Sequence, residues 1–91
     1  MEKTFIAKRL SKKDNILFPD KILIGDLNVI LYKGKIIGYK KIIISRSALS
    51  SISIHENLFF ADVIIDSRGG HEIIGSGFLK SDARQIVDLL T

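Results

Sequence analysis

The chain has 91 residues, a formal charge of +4 and no cysteine. That length supports one domain able to bury somewhat over 60% of its unfolded surface. The absence of cysteine excludes disulfides and thiolate metal sites. No apolar run approaches the ~20 residues of a membrane-spanning helix.

The N-terminal residues, Met1 to Arg9, lack the apolar core of a signal peptide, so the expected location is cytoplasmic unless the chain is cut from a larger protein. Thr4–Arg9 reads as a first strand with Phe5 and Ala7 on one side, and Leu10–Asn15 as a basic loop. Phe18-Pro19-Asp20 reads as a turn, because proline fixes its own φ and pushes the preceding residue out of the helical region. Lys21–Gly25 is a strand with Ile22 and Ile24 on one face, and Gly25-Asp26 fits a tight turn. Leu27–Lys33 is the next strand, and Lys33-Gly34 leads into a hairpin. Gly38–Ser45 is rich in isoleucine, and Ser47–Leu49 is a short connection. Ser50–His55 alternates, with Ile52 and Ile54 inward and Ser51 and Ser53 outward.

Residues 59–66 also alternate, which predicts Phe59, Ala61, Val63 and Ile65 on one buried face. Ser67 to Gly70 form a turn, and a strand follows at 71–78. Gly75 and Gly77 are expected to bend or bulge it. Ala83, Ile86, Val87 and Leu90 have helical spacing, and Ser81 is the expected N-cap with Asp82 in the first turn. The order is therefore about seven short strands and one C-terminal helix. Without βαβ alternation, a parallel sheet is not the expectation. The predicted fold is mainly β: an antiparallel small barrel or orthogonal sandwich, with the helix covering one open end.

Little in the chain points to catalysis or to a bound metal or cofactor. His55-Glu56 lacks the second histidine of a His-Glu-x-x-His zinc helix, since position 59 is phenylalanine, and His71 reads as a solvated edge residue. Gly75-Ser76-Gly77 has neither the spacing of a nucleophile elbow nor that of a phosphate loop. Asp62 and Asp66 lie four strand residues apart, about 13 Å at ~3.4 Å per residue, too far to share a proton. The expectation is a protein that is not an enzyme and needs no cofactor.

The charge is uneven. Residues 1–41 hold ten Lys/Arg against four Asp/Glu, and residues 42–91 hold four against six. Lys8, Arg9, Lys12, Lys13, Lys33 and Lys35 are the candidate anion- or lipid-binding residues, although lysines can equally line the solvent side of strands. Each contributes about 1 kcal/mol near an anionic membrane. Four or five together reach roughly a millimolar dissociation constant, which is adhesion rather than a pocket. Nucleic-acid binding needs exposed aromatics for stacking, for which Tyr32 and Tyr39 are the candidates, and it ranks below lipid.

The strings Phe18-Pro19-Asp20-Lys21-Ile22, Ile30-Leu31-Tyr32-Lys33-Gly34 and Ser50-Ser51-Ile52-Ser53-Ile54 resemble a bacterial pleckstrin-homology-like domain. So do Ala61-Asp62-Val63-Ile64-Ile65, Gly69-Gly70-His71-Glu72-Ile73-Ile74 and the run from Gly77 to Ile86. The similarity spans residues 18–91 of the single domain and leaves 1–17 outside. It implies a strongly bent seven-stranded antiparallel sheet capped by one helix, no catalytic residue, and a role in binding proteins or membranes. Bacterial members of that family often self-associate, and basic residues around the first strand pair hold phosphoinositide head groups in eukaryotic ones. The functional expectation is thus a protein-binding or self-associating module, with peripheral lipid binding second.

Overall fold

A computed structural model describes residues 2–8, 19–35 and 38–91. The described residues form β1 (Lys3–Ile6), β2 (Lys21–Ile24), β3 (Asn28–Gly34), β4 (Tyr39–Ser45), a 3-10 turn (Arg46–Ala48), β5 (Leu49–Glu56), β6 (Phe60–Ser67), β7 (Glu72–Leu79) and α1 (Lys80–Leu90). The architecture is mainly β, as the alternation predicts. It consists of two antiparallel sheets, one in the order β1-β2-β3-β4 and one in the order β5-β6-β7. The helix packs against all three strands of the second sheet.

Strand alternation decides what is buried. In the four-stranded sheet, Phe5, Ile22, Leu31 and Ile42 form one inward row, and Ile24, Val29 and Ile44 continue a second. The three-stranded sheet contributes Ala61, Val63, Ile65, Ile73 and Phe78, and the helix adds Ala83 and Ile86. Ile52, Ile54 and Leu90 are half-buried against this core. Burying each of these large side chains is worth about 1.5–3 kcal/mol.

Gly75 and Gly77 mark the bulge expected for the last strand. Ala61 pairs with Phe78 and Val63 with Gly75, so Asp62 alone opposes both Ser76 and Gly77. Gly77 has φ 84°, and its N–H donates to Asp62 Oδ1 at 3.2 Å. Its carbonyl accepts from the Lys8 N–H at 3.0 Å, which ties the end of the first sheet to the second. Gly75 lies where the sheets meet; a Cβ there would sit 3.0 Å from the Phe78 ring and 3.1 Å from Ile22 Cδ1.

Three expectations need correction. Phe59 is 72% exposed and lies outside the core. The Asn57 N–H donates to the Phe60 carbonyl, so the hairpin closes at Phe60 and Phe59 belongs to the turn. Ser81 is not the helix cap: β7 runs directly into α1, Leu79 occupies the cap position in extended conformation, and no side chain caps the helix. Asp82 does lie in the first turn. The first strand ends at Ile6, short of the predicted Arg9.

Candidate interaction surface

Asp20 is fully buried, and its carboxylate bridges the two sheets. It accepts from the Gly34 N–H at 2.8 Å, the Ser76 N–H at 2.9 Å and Lys33 Nζ at 2.9 Å. Lys33 Nζ also donates to the Ile74 carbonyl at 3.0 Å and reaches Ser76 Oγ at 3.4 Å. Gly34 belongs to β3 and Ser76 to β7, so the latch holds the bulged strand against the first sheet. Charge-assisted hydrogen bonds of this kind are roughly twice as strong as neutral ones. A groove of about 400 Å³ lies beside it, lined by Leu31, Lys40, Ile42, Ile73 and Ser76. Lys33 lines that groove too, but its ammonium is directed to Asp20, Ile74 and Ser76.

The latch changes the standing of one predicted site residue. Lys33 Nζ has Asp20, the Ile74 carbonyl and Ser76 Oγ within reach, while its side chain stays 36% exposed. Lys35 is exposed in the β3–β4 turn, where its N–H donates to the Gly38 carbonyl. Lys8 is exposed and lies beside Gly77. Arg9, Lys12 and Lys13 lie outside the described residues. The bulge brings Lys8 and Lys33 to the same strand, β7, through Gly77 and Ser76 respectively.

The outward face of the four-stranded sheet is the larger surprise. An antiparallel sheet with one solvated face should alternate apolar and polar residues. Here the register aligns Thr4, Leu23, Ile30 and Ile43 in one outward row. Leu23 and Ile30 are half-buried, and Ile43 is 56% exposed. The next row is Ile6, Lys21, Tyr32 and Lys41, in which Ile6 is 52% exposed. Tyr32 and Tyr39 meet edge to face with ring centres 6.2 Å apart. Lys21 Nζ lies 4.6 Å from the Tyr39 ring centre and 5.8 Å from that of Tyr32, and Lys41 Nζ lies 5.8 Å from Tyr32. Such cation–π contacts are worth about 0.5–1 kcal/mol at exposed sites.

On the other side of the apolar row the side chains become small. Asn28 pairs with Ser45, and the Gly25 N–H donates to the Asn28 carbonyl. A recess of about 290 Å³ opens there, bounded by Glu2, Leu23, Gly25, Asp26, Leu27, Asn28 and Ile30. This end carries the carboxylates of Glu2 and Asp26, the 78% exposed Leu27 and the Arg46 guanidinium, which donates to the Gly25 carbonyl at 3.2 Å.

His55 and His71 are both exposed, and among the described residues no group of histidines and carboxylates is arranged to hold a metal ion. Asp66 Oδ2 accepts from Ser51 Oγ at 2.8 Å, and Asp62 holds Gly77, so both carboxylates brace strands. No described helix is long and apolar enough to cross a membrane. No protein-family model matches the chain, and no curated protein matches it significantly.

Proposed function

We propose that this protein is a non-enzymatic interaction module with a pleckstrin-homology-like scaffold, and that it binds protein through the outward face of β1–β4. The scaffold assignment is supported by the order of elements: four antiparallel strands, then three, then one C-terminal helix. The binding assignment rests on one observation, the outward apolar row Leu23–Ile30–Ile43. Contiguous exposed apolar surface on a small protein marks an interaction site, since burying it against a partner recovers about 25 cal/mol per Å². Nucleic acid is disfavoured because Lys21 lies against both tyrosine rings that bases would stack on.

Affinity capture from the native host tests the proposal. Wild-type protein should retain a defined partner, which includes its own untagged copies. Ile43→Asp should lose it, whereas Ser53→Asp, on an exposed position of β5, should not. Equal capture by both variants would reject the outward face as the working surface.

A further inference from the structure

We propose that an extended peptide of a partner protein adds as a strand to the edge of β4, in the groove between β4 and β7. Its backbone bonds Lys41 and Ile43, and a carboxylate at its C-terminal end meets Lys40. The site lies beyond the outward face proposed above and does not depend on the apolar row.

The register fixes which backbone groups of β4 are already used. At one end of the β3–β4 pair the Lys35 N–H donates to the Gly38 carbonyl, and at the other the Arg46 N–H donates to the Leu27 carbonyl. Hydrogen-bonded and non-hydrogen-bonded pairs alternate along an antiparallel ladder. Lys40, Ile42 and Ile44 therefore bond to β3, and the N–H and C=O groups of Lys41 and Ile43 point away from it. Among the described residues, β4 has no strand on that side. On β7 the same alternation starts from the Ser67 N–H bonded to the His71 carbonyl, and it turns Glu72 and Ile74 away from β6.

The Asp20–Lys33 latch shows what the space between these edges accepts. Asp20 takes the Ser76 N–H and Lys33 takes the Ile74 carbonyl, so two side chains make the bonds that an added strand would make. Beyond the latch the seam is open. The groove of about 400 Å³ and a second recess of about 260 Å³ share Ile42 and Ile73 and extend to Ser45 and His71. The floor is apolar, with Ile42, Ile44, Ala48 and Ile73. Along β4 it runs from Lys40 to Ser45, about 17 Å of extended chain.

Alternation then dictates the occupant. Residues of an added strand opposite Ile42 and Ile44 face the floor and must be apolar, and the residue opposite Lys40 faces the same way. Lys40 is exposed and, among the described residues, has no carboxylate partner; Lys33 lines the groove beside it. This end therefore selects a carboxylate, and an antiparallel addition brings the peptide's C-terminal end there. Glu72 on the β7 wall opposes a second acidic residue. Strand addition draws affinity from main-chain bonds and specificity from alternate pockets. An anionic lipid would meet the lysines but leave the backbone groups of Lys41 and Ile43 unused.

Titration of the isotope-labelled chain with the acetylated, amidated hexapeptide Thr-Val-Thr-Val-Thr-Asp tests this. Antiparallel to β4, the peptide sets its valines opposite Ile44 and Ile42 and its aspartate opposite Lys40. Amide shifts should be saturable and confined to residues 40–45 and 72–74. Methylating the nitrogens of the two threonines opposite Ile43 and Lys41 should abolish binding, because those N–H groups donate to β4. Lys41→Pro removes one outward donor and no bond to β3, a placement that edge strands tolerate, so it should fold and lose most of the affinity. Lys40→Glu should weaken binding roughly two- to fivefold, and a peptide with lysine in place of aspartate should restore it. No shift at millimolar peptide, shifts centred elsewhere, or equal binding of the methylated peptide would overturn the proposal. A silent titration beside protein capture that Ile43→Asp abolishes would reject the edge site and leave the outward face standing. Failure of both would reject both.

Discussion

Asp20 shows how much one side chain can carry in a domain this small. Its carboxylate is fully buried and accepts from two backbone amides and one ammonium, drawn from both sheets. Asp20→Ala would leave the Gly34 and Ser76 amide donors unpaired, at about 1–3 kcal/mol each, and release the partly exposed Lys33 to solvent. Lys33→Met should cost less, about 1.5–3 kcal/mol, because the two amides still satisfy the carboxylate. Urea denaturation of both variants checks the order; a larger loss for Lys33→Met would mean that the ammonium, not the amides, holds Asp20. Gly75 makes a second prediction at this scale. An added methyl would press on Phe78, Ile22 and Leu31 at 3.0–3.3 Å, so Gly75→Ala should destabilise by about 1–3 kcal/mol through overpacking. Neither role could be read from the sequence. Asp20 follows a proline and looks like a turn residue, and its donor on Ser76 lies 56 positions away. Gly75 was legible as a bend but not as the point where two sheets touch.

At the scale of elements, the strands were legible and their ends were not. Period-two alternation identifies Ala61, Val63 and Ile65 because each alternate residue faces the same core. Val63→Ala or Ile65→Ala should therefore cost about 1–5 kcal/mol, according to how far the cavity relaxes. The same alternation extended to Phe59 fails, because periodicity carries no information about where a hairpin closes. Phe59→Ser should leave the melting temperature nearly unchanged, and a loss beyond about 1 kcal/mol would return Phe59 to a packed position. Ser81 fails for a related reason. A serine before an apolar run signals a cap only if a loop precedes it, and here β7 passes into α1 at Leu79 without one. As an exposed residue of the first helical turn, Ser81→Ala should shift stability by less than about 0.5 kcal/mol. Asp82→Asn should cost about 0.3–1 kcal/mol by removing a charge that complements the helix dipole. Thermal unfolding of the pair checks this, and a larger effect at Ser81 than at Asp82 would reinstate the serine as a cap.

At the scale of the whole molecule, the uneven charge is carried by side chains in different surroundings. Residues 1–41 have a +6 balance, and the lysines of that stretch that lie among the described residues take different roles. Lys33 is spent on Asp20, Lys21 and Lys41 lie against tyrosine rings, and Lys35 stands on a turn. The outward row Leu23–Ile30–Ile43 did have a sequence signal: β2, β3 and β4 carry apolar residues at consecutive positions, which a strand with one wet face should not. Adhesion to anionic vesicles, carried jointly by Lys8, Arg9, Lys12, Lys13, Lys33 and Lys35 in the sequence expectation, should accordingly be weak. Over a Debye length of ~8 Å at physiological salt, most of it should be screened. Lys8→Ala and Lys35→Ala should each reduce co-sedimentation at low salt in small, similar steps, worth up to about 1 kcal/mol. Lys33→Ala should instead lower stability and leave vesicle binding of the folded protein nearly unchanged, because its ammonium already has partners in the protein. Co-sedimentation at low and physiological salt, run beside denaturation curves, separates the two effects. Binding that survives high salt, or that one lysine abolishes, would replace diffuse adhesion with a specific head-group pocket and make lipid, not protein, the partner of this domain.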